Sequence, residues 1–199
     1  MYSIVRFLFK ILFSIFIPYK VIGLENIPKE GKVILAGNHK NNLDGPLLIR
    51  VVNRKIHFIA KKELIEGKFG FLFKKIGIIP VDRTTHDNKK SLCEAIELLN
   101  KDNVIAIFPE GTFNNTEYIV KPFKIGACYL GSNTDSPIIP FAIKGDYKWF
   151  RKRITIEFGK PYVIKDKKDL RKENITLTNK VIGLLRNGSN WKNKEFKET

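Results

Sequence analysis

The stretch KVILAGNHKNNLDGPLLIRVV, residues 32–52, decides the fold. Its first half, KVILAGN, is a short apolar run bounded by turn residues, the pattern of a strand buried on both faces. Asn38 opens a polar loop. Asp44-Gly45-Pro46 then marks a helix start, with Asp44 read as the N-cap and Pro46 in the first turn, leading into the apolar LLIRVV. Strand, loop and helix in that order form one half of a βαβ unit, and such units build parallel sheets.

The rest of the chain repeats the alternation. KIHFIAK, IIPVDR, VIAIFPEG, SPIIPFAIKG and RITIEFGKP read as further strands. Helices are expected over KFGFLFKKIG, over 87–101 (Leu92, Ala95, Ile96 and Leu99 share a face), over FKIGACYLG closing on Gly131, and over 167–186. VIGLENIPKEG reads as a connector. With 199 residues and short connections, the expected architecture is a single α/β domain, a central mixed β-sheet covered by helices. Its expected divisions are an N-terminal element over 1–18, the domain proper over 19–186, and a loose polar tail over 187–199.

The N-terminal segment MYSIVRFLFKILFSIFIPYK is apolar, with Arg6 and Lys10 inside it. On a helix, Ser3, Arg6, Lys10 and Ser14 make one polar stripe, and Pro18 ends the element. About sixteen residues at roughly 1.5 Å each give about 24 Å, short of a bilayer's hydrocarbon core. Two readings follow: a helix lying in the membrane interface, or a helix packed on the domain's own core.

Lys plus Arg number 36 and Asp plus Glu 20, a formal charge of +16. The excess favours an anionic partner, or simply keeps the chain soluble. No helix-turn-helix, zinc or aromatic RNA-binding signature accompanies it, so nucleic acid is not the expected partner. Cys93 and Cys128 lack CxxC spacing and sit in apolar helical patterns, so both are expected as small core residues in a reducing compartment.

Three constellations carry chemistry, each at a strand end, where α/β proteins gather their sites. In NHKNNLDG, a loop histidine can fold back on a carboxylate at the helix start. The pair suits general-base work, though a structural His beside a capping Asp fits as well. There is no GxSxG, and no Ser or Cys lies in that loop. FPEGTF, 108–113, ends a strand in a tight turn with free amides able to hold a head group or phosphate. It reads equally as an ordinary turn with an exposed Glu. Lys61 and Arg83 end the second and third predicted strands, as phosphate ligands or as surface ion-pair partners.

Taken together, NHxxxxD, a lysine-bearing segment ending in G-x-x-x-V-D-R, and F-P-E-G-T resemble the glycerolipid acyltransferases. GLENIP, FKIGACYLG and IIPFAIKG extend the likeness over roughly 20–160. The resemblance implies acyl transfer to a lysophospholipid acceptor, 1-acyl-glycerol-3-phosphate, from acyl-CoA or acyl-carrier protein, with no metal and no cofactor. It implies an enzyme bound to the anionic cytoplasmic face of the membrane. His39 would be the general base and Asp44 its orienting partner. Lys61 and Arg83 would bind the acceptor's phosphate, and Glu110, Gly111 and Thr112 would shape its pocket. Where the family usually carries Arg after E-G-T, this chain has Phe113. Lys121 or Lys124 would then supply the missing cation, or the acceptor is a different lysolipid. A non-catalytic lipid-binding protein on the same fold is the contrasting reading.

Overall fold

The computed structural model describes residues 1–68, 70–82, 84–85, 88–150 and 154–187. The opening stretch folds as read: β2 spans Val33–Gly37 and α2 spans Asp44–Val51. β2 is buried along its whole length. Val33 and Leu35 enter one apolar cluster, Ile34 and Ala36 the other. Side chains two apart share a face, so one strand feeds two cores.

The remaining strands are β1 (Tyr19–Ile22), β3 (Ile56–Lys61), β4 (Ile78–Val81), β5 (Val104–Ile107), β6 (Ile138–Lys144) and β7 (Ile154–Phe158). They form one seven-stranded sheet in the order β1-β7-β6-β2-β5-β3-β4. β6 and β7 pair antiparallel and every other pairing is parallel, so the sheet is mixed. α1 (Tyr2–Ile11) and α2 lie on one face. On the other lie α5 (Lys89–Asn100), α6 (Gly126–Thr134) and α7 (Leu170–Arg186). α3 (Glu63–Glu66) and α4 (Gly70–Ile76) link β3 to β4.

Several sequence expectations are corrected. The VIGLENIPKEG connector is preceded and partly replaced by β1, which pairs with β7 from Tyr19↔Ile154 to Ile22↔Glu157. A four-residue edge strand with alternate residues exposed offers little apolar signal. α6 runs through Gly131 to Thr134 and stops where Asp135 turns left-handed (φ 52°). Cys93 is exposed on α5 and only Cys128 is buried. Of the polar tail, Asn187 is held: its carbonyl accepts from Lys144 Nζ at 2.7 Å. Residues 188–199 lie outside the described residues.

The N-terminal helix packs on the domain's own core along one side and leaves a second apolar face exposed. Val5, Phe13 and Ile17 are buried, the last two in the core cluster with α2. A π-helical turn over Leu12–Phe16 closes the element. Ile4, Phe7, Leu8, Ile11 and Ile15 are exposed. Among the described residues no helix is long and apolar enough to cross a membrane.

A histidine–carboxylate site at the sheet edge

β2, β3, β5 and β6 run parallel, so the loops that follow them emerge on one edge of the sheet. β2 is flanked by β5 and β6, which puts the loop after β2 between theirs. Gly37 is needed at that exit: a Cβ there would sit 2.3 Å from the Phe141 carbonyl oxygen of β6. Asn38, buried just beyond, continues the pairing with its side chain. Its Nδ2 donates to the Ile143 carbonyl at 3.0 Å and its Oδ1 accepts from the Ile143 amide at 2.7 Å. The backbone leaving β2 is thus fixed before His39.

Asp44 is completely buried. It is the first residue of α2, with Leu43 at the cap position, and no side chain caps that helix. The N-cap expectation is corrected because the carboxylate turns the other way. Its Oδ2 accepts from the amides of Lys40 at 2.7 Å and Asn41 at 2.9 Å, and lies 2.9 Å from His39 Nδ1. Its Oδ1 accepts from the Tyr147 hydroxyl at 2.6 Å. A carboxylate only accepts, so the geometry assigns the proton to Nδ1 and leaves Nε2 as the basic nitrogen.

Two phenylalanine rings lie against the imidazole. Phe108 stacks on it at 4.0 Å between centroids and 15° between planes, and Phe113 tilts against it at 4.5 Å. Two aromatic walls limit the ring's rotation and lower the polarity around it.

Glu110 is buried and serves the backbone. One oxygen accepts the His39 amide at 2.8 Å, the other the Lys121 amide at 2.8 Å. Burial raises its pKa, against the opposing pull of those two amides and of the nearby positive charges. The carboxylate therefore ties the loop after β2 to the loop after β5. It does not stand exposed, as the ordinary-turn reading has it. Gly111 turns with φ 72°, a left-handed conformation that suits glycine. Thr112 is exposed on the same turn. Lys121 Nζ donates to the Phe113 carbonyl at 2.7 Å. The end of the Lys124 side chain packs over Gly111, about 3 Å from where a Cβ would be. Both lysines therefore lie against the turn that carries Phe113.

Lys61 is exposed at the end of β3, the neighbour of β5. Arg83 lies outside the described residues. The acid beside it, Asp82, is bound to Lys62 at 2.6 Å. That hydrogen bond and the Thr84 donors hold its carboxyl well below the usual range.

Sequence reasoning missed Tyr147. It follows β6 by three residues and reaches Asp44 from 103 positions away, which no local pattern reveals. Burial pushes its phenol up, as do the Asp44 charge and the hydrogen bond to it, so it stays a donor. Its loop is pinned further on: the Phe150 amide donates to the Phe16 carbonyl at 2.6 Å, and Trp149 and Phe150 pack edge-on against the Phe16 ring.

A family model described as Acyltransferase matches residues 18–144. The chain is 31% identical over 147 residues to the 1-acyl-sn-glycerol-3-phosphate acyltransferase of Bacillus subtilis, covering 73% of this chain and 72% of that protein. It is 30% identical over 141 residues to that of Borreliella burgdorferi, 70% and 56% of the two chains. It is 31% identical over 137 residues to the alpha enzyme of Mus musculus, 67% of this chain but 48% of the relative. The chain thus spans about half the length of some relatives it matches. The crystal structure of the 1-acyl-sn-glycerophosphate (LPA) acyltransferase from Thermotoga maritima shares the fold, with TM-score 0.75 over 96% of this chain and 81% of that one, at 22% identity. With its histidine and carboxylate joined at 2.9 Å at the edge of such a sheet, the chain belongs to the acyltransferase family.

Proposed function

We propose that the chain transfers a fatty acyl group from a thioester to the sn-2 hydroxyl of 1-acyl-glycerol-3-phosphate, giving phosphatidic acid. The observation that carries the reading is the His39–Asp44 contact of 2.9 Å. Among the described residues, no hydroxyl or thiol side chain is hydrogen-bonded to that histidine. A poised base without its own nucleophile suits direct attack by a substrate hydroxyl. Nε2 of His39 takes the proton as the hydroxyl oxygen attacks the thioester carbonyl. The imidazolium is stabilised by Asp44. The tetrahedral intermediate then collapses, the C–S bond breaks, and the leaving thiolate recovers the proton from His39.

The donor is acyl-CoA or acyl-carrier protein. Both are anionic, and a chain of net charge +16 suits either. The acceptor's phosphate is assigned to Lys61 and Arg83, with Lys121 and Lys124 supplying charge beside the Glu110-Gly111-Thr112 turn. The enzyme works at the cytoplasmic face of the membrane without crossing it. Purified protein, lysophosphatidate and either donor are expected to release free thiol, and His39→Ala to abolish the release. Equal release by the variant overturns the mechanism.

Phe113 supports a second reading, another lysolipid acceptor. A ring stands where the family's arginine would be, 4.5 Å from the histidine. A panel of lysolipids assayed with both donors separates the two: preference for a neutral or zwitterionic head group would favour the second.

A further inference from the structure

A second concentration of charge lies away from the catalytic pair. α2 starts at Asp44 beside His39 and ends at Val51, so its far end is about 12 Å down its axis. There, between α1 and the end of α2, opens a cleft of about 500 Å³ lined by Arg6, Lys10, Arg50, Asn53, Arg54 and Lys55. Ser3, Arg6 and Lys10 of the N-terminal polar stripe line this cleft.

Of the cleft's cations, Arg54 feels the charges of Asp102 and Glu30. Among the described residues, no carboxylate forms an ion pair with Arg6, Lys10, Arg50 or Lys55. Arg54 is spoken for by carbonyls: it donates to Pro28 at 3.1 Å, to Asp102 at 2.7 Å and to Gly31. Arg6 reaches Asn53. Arg50 Nε is buried with no hydrogen-bond partner. The Arg50 guanidinium lies 5.9 Å over the Tyr19 ring, so the cations free to meet a ligand are Arg6, Lys10 and Lys55, a cluster that suits an oxyanion with several acceptor oxygens, a phosphate group.

Two features decide which phosphate. Phe7 lines the cleft and is also 59% exposed, in a stripe with Ile4, Leu8 and Ile11. A free anion would have no use for that apolar rim, whereas a lipid has chains to lay along it. The cleft also lacks any acid to hold a cationic head group. The Tyr2 hydroxyl, which borders it, already donates to the Arg54 carbonyl at 3.3 Å and accepts the Ile56 amide at 3.0 Å. We propose that this cleft docks the phosphate of an anionic phospholipid within the bilayer surface, at a site separate from the one that performs acyl transfer.

The test is vesicle sedimentation of the full chain, which reads binding and so stands apart from whether acyl transfer occurs. On phosphatidylglycerol–phosphatidylcholine vesicles, the triple variant Arg6→Gln, Lys10→Gln, Lys55→Gln should bind at least about tenfold more weakly than the parent. On pure phosphatidylcholine the two should match. Lys160→Gln, Lys165→Gln, Lys168→Gln removes three exposed cations elsewhere and should lose much less. Equal loss by both triples would mean diffuse attraction and overturn the site, as would an unchanged preference in the first triple. Inorganic phosphate added at constant ionic strength should leave binding in place. Complete displacement by it would mark a soluble-anion site and overturn the lipid assignment. Circular dichroism and a thermal midpoint check that each variant is folded.

Discussion

Asp44 sits where the sequence reads a helix cap, yet its carboxylate serves the histidine loop. Two amides, a phenol and an imidazole converge on it, and only the phenol comes from a distant part of the chain, the loop after β6. Tyr147→Phe leaves Oδ1 of a completely buried carboxylate one donor short, a loss of about 1–3 kcal/mol. The expected result is a kcat about tenfold lower with the acceptor KM unchanged. A raised KM at parental kcat would show instead that Tyr147 acts on the substrate, not through Asp44. The residues of the pair were legible because they lie only five residues apart. Their geometry was not, because the loop's conformation depends on Glu110 and Tyr147, 71 and 103 residues away from their partners.

At the scale of elements, α1 and its closing turn carry one buried apolar face and one exposed one. Phe13, on the turn after α1, is fully buried. Phe13→Ala is expected to cost about 3–5 kcal/mol in urea denaturation. Phe7 is exposed, and Phe7→Ser should change stability by under about 0.5 kcal/mol while weakening vesicle sedimentation. Similar stability losses in both would refute this division. Periodicity announced the helix but could not say which surface each face covers. β3 supplies a pH dependence. His57 is buried, and burial, aided by the charge of Lys55, lowers its pKa from 6.5 against a backbone hydrogen bond at Gly77. The unfolded chain therefore takes a proton that the folded one refuses. This contribution to stability is present above about pH 6.5 and lost as pH falls through the lowered folded value. Between pH 7.5 and 5 the urea midpoint of the parent should fall further than that of His57→Gln. Parallel falls would remove His57 from the account.

Across the whole molecule, the alternation of strands and helices was legible because central strands are short apolar runs and helices keep their spacing. The strand order was not. That β5 inserts between β2 and β3, that β7 reverses direction, and that β1 pairs with β7 are decided by tertiary packing. The site's layout depends on this order, since only neighbouring parallel strands place their exits side by side. The bond from Tyr147 to Asp44 then has a bearing on biosynthesis. A nascent chain that has emerged only as far as α2 already contains His39 and Asp44. It still lacks the brace from Glu110 and the phenol beyond β6. The histidine loop is thus finished only with the sheet: its last two braces are synthesised after the pair they hold.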